Sequence, residues 1–388
     1  MPIIQSLLDN DLYKFTMQQV VLHHFPEVDV KYKFKCRTPN VDLLPYQEII
    51  RDEIDNLCNL RFTNEELDYL KQLPFIKKDF IDFLRLLELN RDHVRVFEEN
   101  GELQISISGP WFLTILFEVP ILAIVNETYF KHQVPNPNYD GALERLKNKI
   151  EFAYSLGKKY KFADFGTRRR FSFDWQQKLI EHLVKSKINS RNFVGTSNVF
   201  CAKEFGIKPI GTMAHEFIQA GQALNVRLID SQKFMLQRWV DEYRGDLGIA
   251  LSDTLGIDAF LKDFDKYFAK LYDGVRQDSG DPFEACEKII AHYRKLNIDP
   301  KSKVIIFSDG LDFKQAESLL REFGDRIKVS FGIGTNLTND FPNAEPIQVV
   351  IKMVRCNHQP VAKISDTPEK GMCDDLQYLD YLKRVFTY

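Results

Sequence analysis

The sequence predicts an α/β protein: a (βα) barrel-like domain with about seven parallel strands, joined to an α+β domain whose antiparallel sheet turns one face to water. Two observations carry this. From about residue 160, short apolar runs precede helical stretches at a spacing of roughly 25–30 residues, the rhythm of βα units. Before that point VDVKYKFKC (28–36) alternates strictly, the period of a half-buried strand. An open doubly wound sheet is the competing arrangement.

In 28–36, Val28, Val30, Tyr32, Phe34 and Cys36 share one face, and Asp29, Lys31, Lys33 and Lys35 the other. ELQISIS (102–108) repeats the signal. Between them TNEELDYLKQL, opened by a Thr63–Glu66 capping box, and KKDFIDFLRLL read as helices. WFLTILFEVPILAIV (111–125) is broken by Glu118 and Pro120. It falls short of the roughly 18 apolar residues of a membrane span and reads as a buried helix. The turn-rich NPNYDG (136–141) is a linker. The candidate strands that follow are KFADF (161–165), FVGTS (193–197), KPIGT (208–212), GIALSD (248–253), GVRQD (274–278), KVIIFSD (303–309) and KVSFG (328–332). Finally IQVVIKMVRC and PVAKISD flank an NHQP turn, a hairpin able to rejoin the first sheet. The division is 1–135 for the N-terminal α+β domain, 136–345 for the βα domain and 346–388 for the returning strands.

The 388 residues are 44% hydrophobic and 28% charged, with a net charge of −3 and both signs interspersed. That leaves no basic field for nucleic acid. Six cysteines without a CxxC pair fit a reducing compartment rather than a disulfide framework or zinc ribbon. The N-terminus has no basic stretch followed by an apolar run, so the expectation is a cytoplasmic protein.

In βα barrels ligands bind where the chain leaves the C-terminal ends of the strands. The segments there are DFGTRRR, GTSN, GTMAHEF, SDT, RQDSGD, SDGLD and GIGTN. Turns and caps account for some Gly and Asp. They do not account for an Arg triplet, a His and four Asp-bearing loops on one rim. FGIGTN (331–336) lacks the third glycine of a dinucleotide fingerprint and the GK[ST] of a P-loop, which leaves a sugar-phosphate cradle or a plain turn. Arg276 and Asp278, two apart on a strand end, point the same way; they offer a fork for an anion and an acceptor for vicinal hydroxyls. His215 fails HExxH at Gln219, so it is a core histidine, a helix-starting histidine or a phosphoryl acceptor. A sugar-phosphate aldolase or isomerase fits the rim less well, since these segments offer no Schiff-base lysine.

Taken in order, DNDLYKFTM, FADFGTRRR, GTSN, GTMAHEF, SDT, RQDSGDP, FSDG and FGIGTNLTND resemble the nicotinate phosphoribosyltransferase family across essentially the whole chain. The resemblance implies a barrel packed on an open-faced α+β sandwich and a homodimer whose second subunit completes the site. It implies transfer of phosphoribose from phosphoribosyl pyrophosphate to nicotinate, with ATP hydrolysed alongside and Mg²⁺ on the pyrophosphate. It assigns Tyr13 and Phe165 to the pyridine ring, and Arg168 and Arg276 to the nicotinate and phosphate charges. Asp278 would hold the ribose hydroxyls, and Asp309, Gly310, Gly334 and Thr335 the 5′-phosphate. His215 would take the phosphoryl group, oriented by Asp253. Ser197 stands where nicotinamide-using relatives carry Asp, which favours the acid over the amide; nicotinamide is the alternative substrate.

Overall fold

The computed structural model describes residues 1–364 and 372–386. In chain order, its strands are β1 (Asp29–Cys36), β2 (Val94–Glu99), β3 (Glu102–Pro110), β4 (Phe162–Asp164), β5 (Phe193–Thr196) and β6 (Arg244–Leu247). After them come β7 (Ile249–Leu251), β8 (Gly274–Gln277), β9 (Val304–Phe307), β10 (Lys328–Ile333), β11 (Val349–Cys356) and β12 (Gln359–Pro360). All but β6 form a five-stranded antiparallel sheet, β12-β11-β1-β3-β2, and a six-stranded parallel sheet, β5-β4-β10-β9-β8-β7.

The alternation of β1 becomes a real face: Val30, Tyr32 and Phe34 are buried. β11 lies beside it, Phe34 opposite Ile351, with a bulge between Lys31 and Tyr32. Asn357 and His358, at φ 46 and 63, turn β11 into β12. The last positions of the expected PVAKISD strand, 365 and 366, lie outside the described residues. Helix Glu118–Gln133 packs on β11. The apolar stretch it belongs to, Trp111–Gln133, is long enough to cross a membrane, yet its most apolar window is 83% buried inside the protein. Trp111 stacks on Phe25 at 6.2 Å and meets Phe217 at 6.4 Å, so one aromatic core runs from the antiparallel half into the other.

The parallel sheet is short-stranded; alternate residues are buried, and Val304, Ile306 and Ser330 on the other face line a cavity. Phe162 packs on Phe313 (5.1 Å) and Phe193 (5.6 Å), and Tyr160 on Phe331 (5.4 Å). Asp281 and Asp312 each accept two backbone N–H bonds and start the helices that follow β8 and β9, worth about 1 kcal/mol per cap. The expectation of about seven parallel strands exceeds the six in this sheet. Segment 208–212 supplies only one parallel bridge, Thr196 to Pro209. Proline has no N–H for a ladder, and Gly211 sits at φ +155, where an added Cβ would meet the Tyr13 backbone nitrogen at 3.1 Å. The segment still spans the gap beside β7, where Thr212 Oγ1 donates to the Ile249 carbonyl at 2.9 Å.

Candidate active site

The N-terminal segment is threaded through the rim of the parallel sheet. Asp9 receives both arms of Arg170, at 2.6 and 2.7 Å, in a pair with no solvent exposure on either side chain. Two residues on, Asp11 Oδ1 accepts from Ser197 Oγ at 2.7 Å. Tyr13 then turns its ring toward the Arg168 guanidinium, 5.9 Å away, and its hydroxyl has no partner among the described residues. Lys14, fully buried, lies 2.5 Å from Glu118 and 2.6 Å from Glu216. Burial raises Glu118, but Lys14 and Arg168 outweigh it and hold the group at about 2. Burial raises Glu216 against the pull of Lys14, and Glu118 adds to the rise. Glu216 thereby ties the helix His215–Ala220 to the N-terminal helix Leu12–His24.

The Arg triplet divides. Arg168 and Arg169 line a cavity at the rim; Arg170 belongs to the core. Phe165 lines the same cavity, and Gly332 explains its seat: a Cβ there would lie 2.2 Å from the ring. The first glycine of FGIGTN thus serves the aromatic. The second, Gly334, faces the cavity beside Thr335 and Asn336. Asn336 Nδ2 donates to the carbonyls of Gly310 (3.2 Å) and Leu311 (2.9 Å), knitting this loop to the one carrying Asp309. Gly310 sits at φ +60, a conformation L side chains rarely adopt.

His215 opens its helix and is 6% exposed. Its Nδ1 lies 3.0 Å from Thr254 Oγ1; its Nε2 lies 3.1 Å from Asp278 Oδ2 and 3.2 Å from Lys363 Nζ. Asp253 is 3.8 Å from Nε2 and bonds Lys363 at 2.7 Å, with Ser279 on the same oxygen. Burial first, and Lys363 second, press His215 down to about 4 against the opposing pull of Asp253 and Asp278, so the ring is neutral at pH 7. Burial raises Asp278, but Arg276 and His215 hold it well below the carboxylate range. Its other oxygen accepts from Ser308 at 2.6 Å.

Arg37, Lys352 and Lys363 were not found from the sequence. Lys352 projects from the middle of β11, and burial together with Lys363 and Arg168 lowers it to about 7 despite Glu118. Six cations, Arg37, Arg168, Arg169, Arg276, Lys352 and Lys363, and four carboxylates, Glu118, Glu216, Asp278 and Asp309, line one cavity of about 310 Å³. Excess positive charge beside glycine-lined backbone suits a phosphorylated ligand. A neutral imidazole within it can accept a phosphoryl group. A second cavity of about 630 Å³, walled largely by apolar groups, opens behind Tyr13 and Phe165.

Comparison with known proteins agrees with this chemistry. A model described as the nicotinate phosphoribosyltransferase (NAPRTase) family matches residues 160–388, and one described as its N-terminal domain matches residues 8–126. The nicotinate phosphoribosyltransferase of Ralstonia nicotianae is 56% identical over 388 residues, covering 99% of both chains. That of Bordetella pertussis is 55% identical, covering 99% of this chain and 95% of the relative. The crystal structure of nicotinate phosphoribosyltransferase from Vibrio cholerae matches with a TM-score of 0.95 at 43% identity, over 99% of this chain and 94% of that one. The one from Porphyromonas gingivalis matches with a TM-score of 0.94 at 33% identity, over 100% of both. With both halves matched, and full-length relatives identical at more than half their positions, the chain belongs to the nicotinate phosphoribosyltransferase family.

Proposed function

We propose that the 310 Å³ cavity is where nicotinate and phosphoribosyl pyrophosphate react, with ATP coupled through His215. The chain carries the nicotinate phosphoribosyltransferase activity of NAD salvage. In that reaction the pyridine nitrogen attacks the anomeric carbon while pyrophosphate leaves. Such a transfer needs positioning and charge stabilisation rather than a protein nucleophile. Tyr13 and Phe165 flank the ring, and Arg168 and Arg276 face the negative charges. Asp278 accepts from the ribose hydroxyls. Asp309, Gly310, Gly334 and Thr335 cradle the 5′-phosphate, leaving Arg37, Arg169 and Lys352 for the pyrophosphate.

The observation that carries the coupling is the sharing of His215 Nε2 between Asp278 and Lys363. With the ring proton on Nδ1, toward Thr254, the Nε2 lone pair bonds the γ-phosphorus of ATP as the bond to ADP breaks, and the new phosphoryl group repels Asp278 and attracts Lys363. Asp278 is then released toward the ribose. Asp253 acts through Lys363, fixing its ammonium. Mg²⁺ takes mostly phosphate and water oxygens in such sites. Here the ion would be carried in on the pyrophosphate rather than held by a cluster of protein ligands. When bound it neutralises charge on the leaving group. A homodimer would pair two such cavities, because Tyr13 already sits in the cavity of its own chain. A reducing cytoplasm suits the six free cysteines.

Incubation with γ-labelled ATP should place acid-labile label on His215, discharged by nicotinate and phosphoribosyl pyrophosphate together. His215→Ala should lose the label and the ATP stimulation and keep slow ATP-independent transfer. Full ATP coupling in that variant would refute the assignment.

A further inference from the structure

Behind Tyr13 and Phe165, where a pyridine ring held between them would point its substituent, the second cavity contains a carboxyl group that an anionic substrate should not meet. Asp11 occupies the N-cap of helix Leu12–His24 but makes no side-chain cap bond. Its carboxyl instead faces Ser197, whose hydroxyl donates to it at 2.7 Å. Ser197 therefore has its one proton directed at Asp11 and not at a ligand. Asp11 is 2% exposed and lines the apolar-walled cavity together with Tyr13, Phe165, Arg168 and Ser197. Arg168, a cation lining the same cavity, is already shared with Glu118 at 3.3 Å. A nicotinate carboxylate beside an ionised Asp11 would meet like-charge repulsion in a buried setting. One shared proton turns that repulsion into a short hydrogen bond.

We infer that Asp11 is the specificity-determining residue of the pyridine site: it takes one proton from solvent as nicotinate binds and donates it to the substrate carboxylate. Ser197 keeps its bond to Oδ1, and the proton rides on Oδ2, with Thr167 yielding that oxygen to the substrate. The proton returns to solvent when the product leaves. The inference rests on the placement of nicotinate between Tyr13 and Phe165.

The groups facing Asp11 come from every neighbouring element: Asp164, Thr167 and Arg168 around the end of β4, Ser197 after β5, Glu118 on its helix and Tyr13 on its own. Burial raises the carboxyl, Arg168, Ser197 and Thr167 draw it back, and Glu118 adds to the rise; the balance is upward. The bound substrate carboxylate, another negative charge, raises it further. As pH climbs above the free-enzyme value, nicotinate must bring in a proton that is harder to obtain, and its kcat/KM falls about tenfold per pH unit. Nicotinamide follows the opposite logic. Its amide N–H donates to the ionised carboxylate and needs no proton, so the preference for the acid narrows in alkali.

The test is calorimetry of nicotinate and nicotinamide binding in buffers of different ionisation enthalpy, with kcat/KM for both measured across pH. Wild type should take up one proton per nicotinate at alkaline pH and none with nicotinamide. Asp11→Asn, which can donate a hydrogen bond without titrating, should take up none and show a flat nicotinate profile. Wild type binding nicotinate without proton uptake would overturn the inference whatever the variant does, as would uptake that persists in Asp11→Asn. Phe165→Ala separates the two layers. If it raises the nicotinate KM at least tenfold while proton uptake is absent, only the role of Asp11 fails. An unchanged KM in Phe165→Ala overturns the placement and the inference together.

Discussion

The parallel and antiparallel sheets face the same cavity and furnish it in opposite ways. The parallel sheet works from its loops: Phe165, Arg168, Asp278, Asp309 and Thr335 all lie just beyond a strand end, where the backbone can aim each group separately. The antiparallel sheet and the residues continuing from it offer cations: Arg37 directly after β1, Lys352 within β11 and Lys363 past β12. A side chain on a strand cannot be re-aimed without shifting its apolar neighbours, here Ile351 and Met353. The difference teaches a division of supply: the parallel side delivers rings, carboxylates and arginines together, while the antiparallel side adds cations.

Three variants would break or sharpen that division. The largest effect belongs to Asp278→Asn, which should lower kcat by about 10²–10³ while the KM for phosphoribosyl pyrophosphate stays within about threefold. A raised KM with unchanged kcat would make the loop side a binding surface as well. Lys363→Met tests the boundary, because this sheet-side cation touches His215. It should reduce ATP stimulation by about tenfold or more, and γ-labelled ATP would show whether phosphohistidine still accumulates. If only the KM for phosphoribosyl pyrophosphate rises, Lys363 belongs with the anion holders. The smallest effect is expected for Lys352→Met: a rise of about tenfold in that KM at low pH, with kcat preserved. Lys352 titrates near 7 in the free protein, so it is charged below that value and loses its charge as pH rises through it. The wild-type KM should therefore climb across that window, and the variant's should not.

This division also explains what could be read from the sequence. Loop-borne residues announce themselves, because Arg, His and Asp crowded after apolar runs have few structural reasons to be there. Lys352 does not: in IQVVIKMVRC a lysine between Ile351 and Met353 reads as the solvated side of an ordinary strand, and only the second buried face of β11 shows otherwise. Asp253 was legible as a carboxylate at a strand end, but Lys363, which holds it, is 110 residues away. Alternation made β1 legible and βα rhythm the parallel sheet. The missing seventh strand turned on Pro209 and on the close passage of Gly211 by Tyr13, a tertiary contact that no local pattern carries.

The N-terminal threading has a consequence for how the protein is made. Asp9, Asp11 and Lys14 wait for partners 161, 186 and 202 residues downstream, and Lys363 joins His215 across a further 148. On a ribosome the first segment emerges long before any of them, and loops of this length close late. Helix Leu12–His24, whose Lys14 ammonium is fully buried in the finished protein, must stay hydrated or chaperoned through most of translation. The cavity comes into being only when nearly the whole chain has left the exit tunnel. A nascent fragment therefore lacks the assembled cavity, whose lining runs from Tyr13 to Lys363.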